Sequence, residues 1–272
     1  MEEQMRKNVG KFLVIGLALA VFLAACATVP ITGRKSLNLI PAESINSMSF
    51  QEYSDFLSQN KLSANRTQTA MVKRVGEKIQ HSVETYFAQH NLSSDLQGYQ
   101  WEFNLIQDTT VNAWCMPGGK VVVYTGLLPV AKDETGLAVV MGHEIAHAIA
   151  NHGNERMSEG LILQMGGMAL EKALETKPTE TKNLFMTAFG LGANIGVMLP
   201  FSRMHESEAD RMGLIFMAMA GYNPSRALDF WQRMAADSQG APLEFLSTHP
   251  SDETRIRKIN ELIPEAMKYY KP

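Results

Sequence analysis

The residues with the clearest chemical pattern are two histidines four positions apart. His143 and His147 enclose Glu144 in the sequence Gly-His-Glu-Ile-Ala-His. The surrounding window is rich in Ala and Val and has no Pro, which predicts a helix. Residues four apart on a helix share a face, so both imidazoles can bind one Zn²⁺ ion. Glu144 is placed to hold and deprotonate a water molecule. The alternative is that two surface histidines have this spacing by chance.

A third ligand is offered by the charged segment His-Glu-Ser-Glu-Ala-Asp that ends at Asp210. A catalytic zinc site has three protein ligands, and Glu206 is the best candidate for the third. Asp210 lies four positions further on and shares its helix face. We predict that Asp210 accepts a hydrogen bond from a ligating imidazole, as zinc-bound histidines usually require. Glu208 should point away from the metal. Taken alone, this segment is equally consistent with a solvated charged face.

The elements that must position these residues are mostly helices. Alternating and β-branched segments between residues 99 and 126 predict a small antiparallel sheet before the His-Glu-x-x-His helix. Asp133 or Glu134 should cap that helix. His152, five residues beyond His147, should lie off the ligand face at the helix end. The predicted fold class is α+β, predominantly helical, with further helices at about 42–59, 65–90, 202–220, 225–236 and from 253.

Residues 154–200 form a segment of different composition, rich in Met, Leu, Ala and Gly. The pattern predicts two helices joined near Lys177–Thr179, which we interpret as a helical insert or lid. The second, about Leu184 to Phe201, carries no charge and contains Gly192 and Gly196. Contact with a membrane is therefore the alternative to a buried helical pair.

The first residues are typical of an export signal. Three basic residues precede an apolar run, Phe12–Ala25, that ends Leu-Ala-Ala-Cys26. This run resembles a bacterial lipobox, in which Cys26 is acylated and becomes the mature N-terminus; an ordinary signal or an uncleaved anchor is the alternative. Ala27 after the cysteine favours the outer membrane, with the protein lipid-anchored in the cell envelope and facing the periplasm. Membrane contact is thus expected through the N-terminal lipid.

Composition limits the remaining possibilities. The 272-residue chain has a net charge of −3, and we find no basic patch, so no nucleic-acid partner is expected. Its two cysteines, Cys26 and Cys115, exclude a disulfide framework and a cysteine-rich zinc site. We interpret Cys115 as a small packed residue.

These motifs together resemble the gluzincin metallopeptidase family of HtpX, the CAAX prenyl proteases and the mitochondrial overlapping-activity peptidase, and most closely its exported bacterial lipoprotein branch. The resemblance implies a zincin-like fold in which His143, His147 and Glu206 hold one zinc ion and Glu144 is the catalytic base. The several membrane spans of HtpX and the prenyl proteases have no counterpart here, so intramembrane substrates are not expected. The motifs that match are Asn112-Ala113 with Pro117-Gly118-Gly119, Gly142-His143-Glu144-x-x-His147, Ser202-Arg203 with Glu206-x-x-Ala209-Asp210-x-x-Gly213, and Thr248-His249-Pro250-Ser251 with Arg255-Ile256.

The sequence thus predicts a zinc metalloendopeptidase that hydrolyses misfolded or misassembled cell-envelope proteins. The segment around Asn112 and Ala113 should pair with an extended, unfolded substrate. His249 should stabilise the transition state or act as an extra ligand, unless it only caps the next helix. A catalytically silent chaperone or assembly-binding module is the alternative function, which the intact Glu144 disfavours. The predicted divisions are a signal peptide (1–25), a lipid-anchored tether (26–40), the metallopeptidase domain (41–265, with the insert or lid at 154–200) and a tail (266–272).

Overall fold

The computed structural model describes residues 26–190, 202–237, 244–249 and 253–271. The predicted signal peptide lies outside these residues. The predicted fold class, α+β and predominantly helical, is confirmed. The strands are β1 (Cys26–Thr28), β2 (Lys35–Leu37), β3 (Glu102–Ile106), β4 (Ala113–Met116) and β5 (Lys120–Tyr124). The helices are α1 (Ala42–Gln59), α2 (Arg66–Gln89), α3 (Leu128–Ala131), α4 (Glu134–Ile149), α5 (His152–Met165), α6 (Leu170–Thr176), α7 (Pro178–Ala188), α8 (Arg203–Met219), α9 (Ala227–Asp237), α10 (Glu244–Thr248) and α11 (Glu253–Ala266).

Helix α4 lies at the centre of the molecule. Every residue from Gly136 to Ile149 is buried, as expected of a helix that is apolar on all sides. It packs against α8 at a contact between two glycines. A Cβ atom on Gly142 would lie 2.9 Å from the backbone oxygen of Gly213, so only glycine allows the two backbones to approach this closely. This contact joins the middle of α4 to the middle of α8.

The sheet next to α4 is mixed, and the prediction of an antiparallel sheet is wrong for one pair of strands. β4 and β5 form an antiparallel hairpin, whereas β3 runs parallel to β5. The strand order is β3-β5-β4, so β5 is central and β4 is an edge strand. Gly118 and Gly119 both have positive φ angles in the tight turn of the hairpin. Alternation within each strand does not reveal this order, since it reports which face is buried and not which strands are neighbours.

A docked hairpin takes the place of the tether predicted for residues 26–40. β1 and β2 pair in antiparallel fashion, with Cys26 opposite Leu37. Val29, in the turn between them, is buried in the main hydrophobic core. The Pro, Gly and Thr content that indicated a linker is instead the composition of a tight turn.

Residues 152–188 form three helices where two were predicted. α5, α6 and α7 pack around a hydrophobic core of their own, which includes Leu161 and Phe185. α5 is followed by Gly166 and Gly167, both with positive φ, and α7 begins at Pro178, within the predicted loop and six residues before the predicted start at Leu184. Most of the predicted apolar helix, with Gly192 and Gly196, lies outside the described residues. Within the described ranges, no helix has the length and apolar character needed to span a bilayer.

Candidate active site

The two histidines of the central motif meet in the interior. Asp133 caps α4 by accepting a hydrogen bond from the Gly136 N–H at 2.9 Å, which confirms the predicted start of the helix. His143 and His147 are 2% and 4% exposed, and their Nε2 atoms lie 3.1 Å apart. The helix therefore directs both rings to one place, as their spacing predicts.

Glu206 joins them from the first turn of α8. Its carboxylate oxygens lie 3.4 Å from the Nε2 atoms of both histidines. Ser202 caps the helix, because its hydroxyl accepts a hydrogen bond from the backbone N–H of His205 in the first turn. The positive end of the helix dipole therefore favours the buried carboxylate at this position. Burial opposes the charged form, but the positive charge of Arg255 and a bond to His143 contribute to a pKa well below the usual range for Glu206.

His249 supplies a fourth donor atom. It follows α10, and its Nδ1 lies 2.9 Å from Glu206 Oε1 and 3.2 Å from His143 Nε2. Potential ligand atoms of all four residues lie within 4.8 Å of one another, and all four side chains are buried. The structure thus places His249 inside the cluster, where the sequence left open a role in capping the next helix.

The residues present fit a zinc ion by both geometry and chemistry. Tetrahedral zinc with metal–nitrogen distances of about 2.0–2.1 Å needs donor atoms about 3.3–3.4 Å apart. Five of the six pairs among these residues have donor atoms 2.9 to 3.4 Å apart, and potential ligand atoms of all four lie within 4.8 Å of one another. Imidazole nitrogen and carboxylate oxygen are ligands that zinc commonly takes. Although burial disfavours a charged His143, hydrogen bonds to Asp210 and Glu206 raise its pKa to about 9, whereas burial lowers the pKa of His147 well below its usual value.

Asp210 lies behind His143, on the side away from the cluster. Its Oδ1 is 3.0 Å from His143 Nδ1, the contact predicted for one of the two imidazoles. Arg255 of α11 donates two hydrogen bonds to Asp210, at 2.8 and 2.9 Å, and stacks on Trp231 with its guanidinium carbon 3.6 Å from the ring centroid. The Nη1 atom of Arg255 also lies 2.8 Å from Glu206 Oε2.

No site role was predicted for Arg255 from the sequence, although Arg255-Ile256 belongs to the last of the matching motifs. A signal was present in the sequence. Arg255 is four positions before the buried Ile259 and therefore lies on the apolar face of an amphipathic helix. An arginine on such a face needs a buried partner, since an unpaired charge there is costly.

His147 has a second contact that the sequence did not predict. The Nδ1 atoms of His152 and His147 lie 2.9 Å apart, and His152 Nε2 lies 3.0 Å from Glu208 Oε2. The prediction that His152 lies away from the site is therefore wrong. Asn151 adopts a left-handed conformation, φ 59°, which turns the chain back after α4 and brings His152 to His147. Glu208 does point away from the donor cluster, but it is buried and connected to it through His152.

Glu144 faces a small cavity beside the donors. It is 3% exposed, and its Oε1 has no hydrogen-bond partner among the described residues. Burial raises its pKa above the usual range for a glutamate. The cavity has about 20 Å³ of free space, enough for about one water molecule. A residue that holds a reacting water needs a free carboxylate oxygen and room for the water, and Glu144 has both.

Strand β4 forms one wall of this cavity. Asn112 and Ala113 line it together with Cys115, and Phe189 closes it from the end of α7. The Asn112 side chain accepts a hydrogen bond from the Ala113 N–H at 2.8 Å. Burial raises the pKa of the Cys115 thiol well above its usual value, so this cysteine is a neutral packed residue, as predicted.

The sequence matches known proteins along most of its length. Residues 73–263 match the model of peptidase family M48. The mitochondrial metalloendopeptidase OMA1 of Schizosaccharomyces pombe is 35% identical over 243 residues, which cover 88% of this chain and 66% of that protein. The human mitochondrial metalloendopeptidase OMA1 is 31% identical over 98% of this chain and 52% of its own length. A putative beta-barrel assembly-enhancing protease of Vibrio cholerae is 33% identical over 58% of this chain and 34% of its own length.

The chain belongs to peptidase family M48. This confirms the resemblance to a metallopeptidase family that the motifs indicated. The chain spans about half to two thirds of the OMA1 proteins and about one third of the Vibrio protein.

Proposed function

We propose that this protein is a zinc-dependent endopeptidase in which His143, His147 and Glu206 bind one zinc ion and Glu144 transfers protons. The observation that carries the proposal is the convergence of three buried donors beside Glu144, whose buried Oε1 has no hydrogen-bond partner among the described residues. When bound, zinc supplies a Lewis acid that activates water and polarises a peptide carbonyl. Membership of family M48 supports the same assignment.

Glu144 carries the acid–base chemistry. A general base works best when its pKa lies near the operating pH, and burial moves the pKa of Glu144 in that direction. The same carboxyl group then returns the proton to the departing amine. A water-sized cavity lined by Glu144, His147 and His249 supports a site for the attacking water beside this base.

His249 lies in the same buried cluster as the three proposed ligands. Its Nδ1 is as close to Glu206 and His143 as those donors are to one another. We therefore assign it to stabilising the transition state beside the metal and not to helix capping, since a catalytic zinc with three protein ligands keeps its fourth position for water. Its Nε2 lies 3.6 Å from Glu144 Oε1, so the same ring also contacts the proton-transfer residue.

The substrate is an extended polypeptide that pairs with the outer edge of β4, beside Asn112 and Ala113. In the described sheet, β4 is bonded to β5 on one side only, and an edge strand offers backbone groups for such pairing. The cavity admits no peptide in this structure, so Phe189 and Gly190 must move aside for a substrate to bind.

The biological substrates are misfolded or misassembled proteins of the cell envelope, which the enzyme reaches while anchored by lipid at Cys26. Pairing through backbone groups suits unfolded chains of many sequences. The lipobox-like sequence supports export and anchoring at the outer membrane. The relatives named as beta-barrel assembly-enhancing proteases, from Vibrio cholerae and Yersinia pestis, support a role in the envelope.

The test combines metal analysis with digestion of an unfolded protein such as reduced casein. The wild type should contain one zinc per chain and cleave the substrate. Glu144→Gln should keep the zinc and the circular dichroism spectrum but lose activity by roughly three orders of magnitude or more, since base and proton donor are removed together. Zinc binding without cleavage by the wild type would instead favour a silent binding module.

A further inference from the structure

Arg34, in the β1–β2 hairpin, lies between two buried glutamates of the domain. Its Nη1 and Nη2 donate to the two oxygens of Glu155 at 2.9 and 2.8 Å, and its Nε donates to Glu208 Oε2 at 2.7 Å. The Arg34 side chain is 18% exposed, and those of the glutamates are 10% and 5% exposed. A planar guanidinium with five donors can bridge two carboxylates in this way, whereas an ammonium cannot.

The turn of the hairpin is shaped to deliver these contacts. Thr32 donates a hydrogen bond to the second oxygen of Glu208. Ile31 has a φ of 67°, a conformation that is rare for a β-branched residue. Strain of this kind persists only where surrounding contacts hold it, and it is concentrated at functional positions. The hairpin therefore docks through specific polar contacts and not only through the buried Val29.

Glu208 connects Arg34 to the donor cluster through His152. Because His147 directs Nε2 at the cluster, its Nδ1 carries the proton and donates to His152 Nδ1, 2.9 Å away. His152 must then carry its own proton on Nε2, which donates to Glu208 Oε2 at 3.0 Å. The chain of contacts from Arg34 through Glu208 and His152 to His147 fixes the tautomer and ring angle of a ligand.

The other ligand histidine has a shorter version of the same arrangement. His143 contacts Asp210, and Asp210 receives two hydrogen bonds from Arg255. On both sides an arginine holds a carboxylate, and the carboxylate holds an imidazole. The difference is the extra ring, His152, between Glu208 and His147.

We propose that Arg34 is a positioning residue of the metal centre, so that docking of the N-terminal hairpin sets how tightly His147 holds zinc. The inference rests on the proposed zinc site. It makes the hairpin part of the site's support, acting through Glu208 and His152 in the described part of the chain.

The experiment measures the rate at which the zinc-loaded protein loses metal to a chelator, with the visible spectrum of the cobalt-substituted protein as a second readout of ligand geometry. Arg34→Gln should release zinc about tenfold faster, within the range found for outer partners of metal ligands, and should change the cobalt spectrum. Arg34→Lys keeps the charge but cannot bridge both glutamates, so it should recover part of the loss. The matched control is Arg211→Gln. Arg211 lies on the same helix as Glu208, and it donates hydrogen bonds to both oxygens of Glu265.

A second arm separates positioning from general destabilisation. In a His152→Gln background the connection to His147 is already broken, so Arg34→Gln should change the release rate by less than about twofold. Equal effects of Arg34→Gln in both backgrounds, or no effect in the wild-type background, would overturn the inference. If Arg34→Gln does not fold, Arg34→Lys is carried through the same comparison. A wild type that binds no zinc would overturn the proposed function itself.

Discussion

Each of the two proposed ligand histidines directs one ring nitrogen to the donor cluster and the other to a buried acceptor. For His143 that acceptor is Asp210, and for His147 it is His152. A neutral imidazole has one proton, so the outer acceptor decides which nitrogen is free to bind a metal. At this scale the site depends as much on the outer acceptors as on the ligands.

Asp210→Asn should weaken zinc retention without unfolding the protein. Asparagine keeps the size and one acceptor oxygen but removes the charge that holds both His143 and Arg255. We expect release to a chelator to be about tenfold faster, less than the loss caused by Glu206→Ala. The control is Glu265→Gln, since that carboxylate pairs with Arg211 in a partly exposed position away from the site. Equal release rates for both variants would contradict the role given to Asp210.

Glu155 should make the metal-free protein sensitive to acid. Burial opposes its charged form, but hydrogen bonds from His205 and Arg34 lower its pKa from 4.5 to about 2. The unfolded chain therefore takes up a proton first as the pH falls, so the free energy of unfolding should decrease between about pH 4.5 and 2. With allowance for solvent screening, we expect a loss of roughly 1–2 kcal/mol from this residue.

Urea denaturation at several pH values checks this expectation. Glu155→Gln should flatten the decline in that pH range, whereas Glu261→Gln, at a solvent-exposed position, should leave it unchanged. A Glu155→Gln protein with the same pH dependence as the wild type would show that this carboxyl group is not responsible.

The meeting of His143 and His147 could be predicted from their spacing within one helix, but the hydrogen-bond partner of His147 could not. His143 and His147 meet because helical geometry fixes residues four apart. His152 meets His147 only because the chain reverses at Asn151, which no helical period reveals. Arg34 is 174 residues from Glu208 in the sequence, so that pairing exists only in the folded molecule.

Among the elements, α4 and α8 were predicted within a few residues because both have caps and strong apolar patterns. The strand order was not predictable from the same kind of pattern, because alternation is identical in parallel and antiparallel neighbours. The glycine contact at Gly142 and Gly213 explains how the two helices come together, yet each glycine alone looks like a weak point in a helix.

The end of α7 is the element that we expect to control access. Phe189 lines the cavity beside Glu144 and packs closely on Gly153 at the start of α5. Phe189→Ala should open this wall and raise kcat/KM for an unfolded protein by roughly three- to tenfold, since opening of such a cover often limits turnover. Met186→Ala, a change to a partly buried residue of α7 that does not line the cavity, is the control. Equal or lower activity of the Phe189→Ala protein would mean that substrates enter by another route.

At the scale of the whole molecule, anchoring and catalysis are expected to be separable. Cys26→Ser should remove the acylation site and release the protein into a soluble exported fraction, because one thiol carries the predicted lipid. Fractionation of cells expressing the variant measures this release, and Ala27→Ser is a control that leaves the thiol in place. A Cys26→Ser protein that stays with the membrane after its signal is removed would indicate an anchor elsewhere in the chain.

The positions of the site residues along the chain have a consequence for the order of synthesis. Glu144 and both motif histidines lie near the middle of the sequence, whereas Glu206, His249 and Arg255 lie towards its end. On the proposed assignment, a growing chain that ends just after His147 still lacks the ligand Glu206. It also lacks Arg255, which contacts Glu206 and donates hydrogen bonds to Asp210. On that assignment the nascent chain has no complete zinc site until Glu206 has been synthesised and α8 has packed against α4, so proteolysis is delayed until the domain has folded.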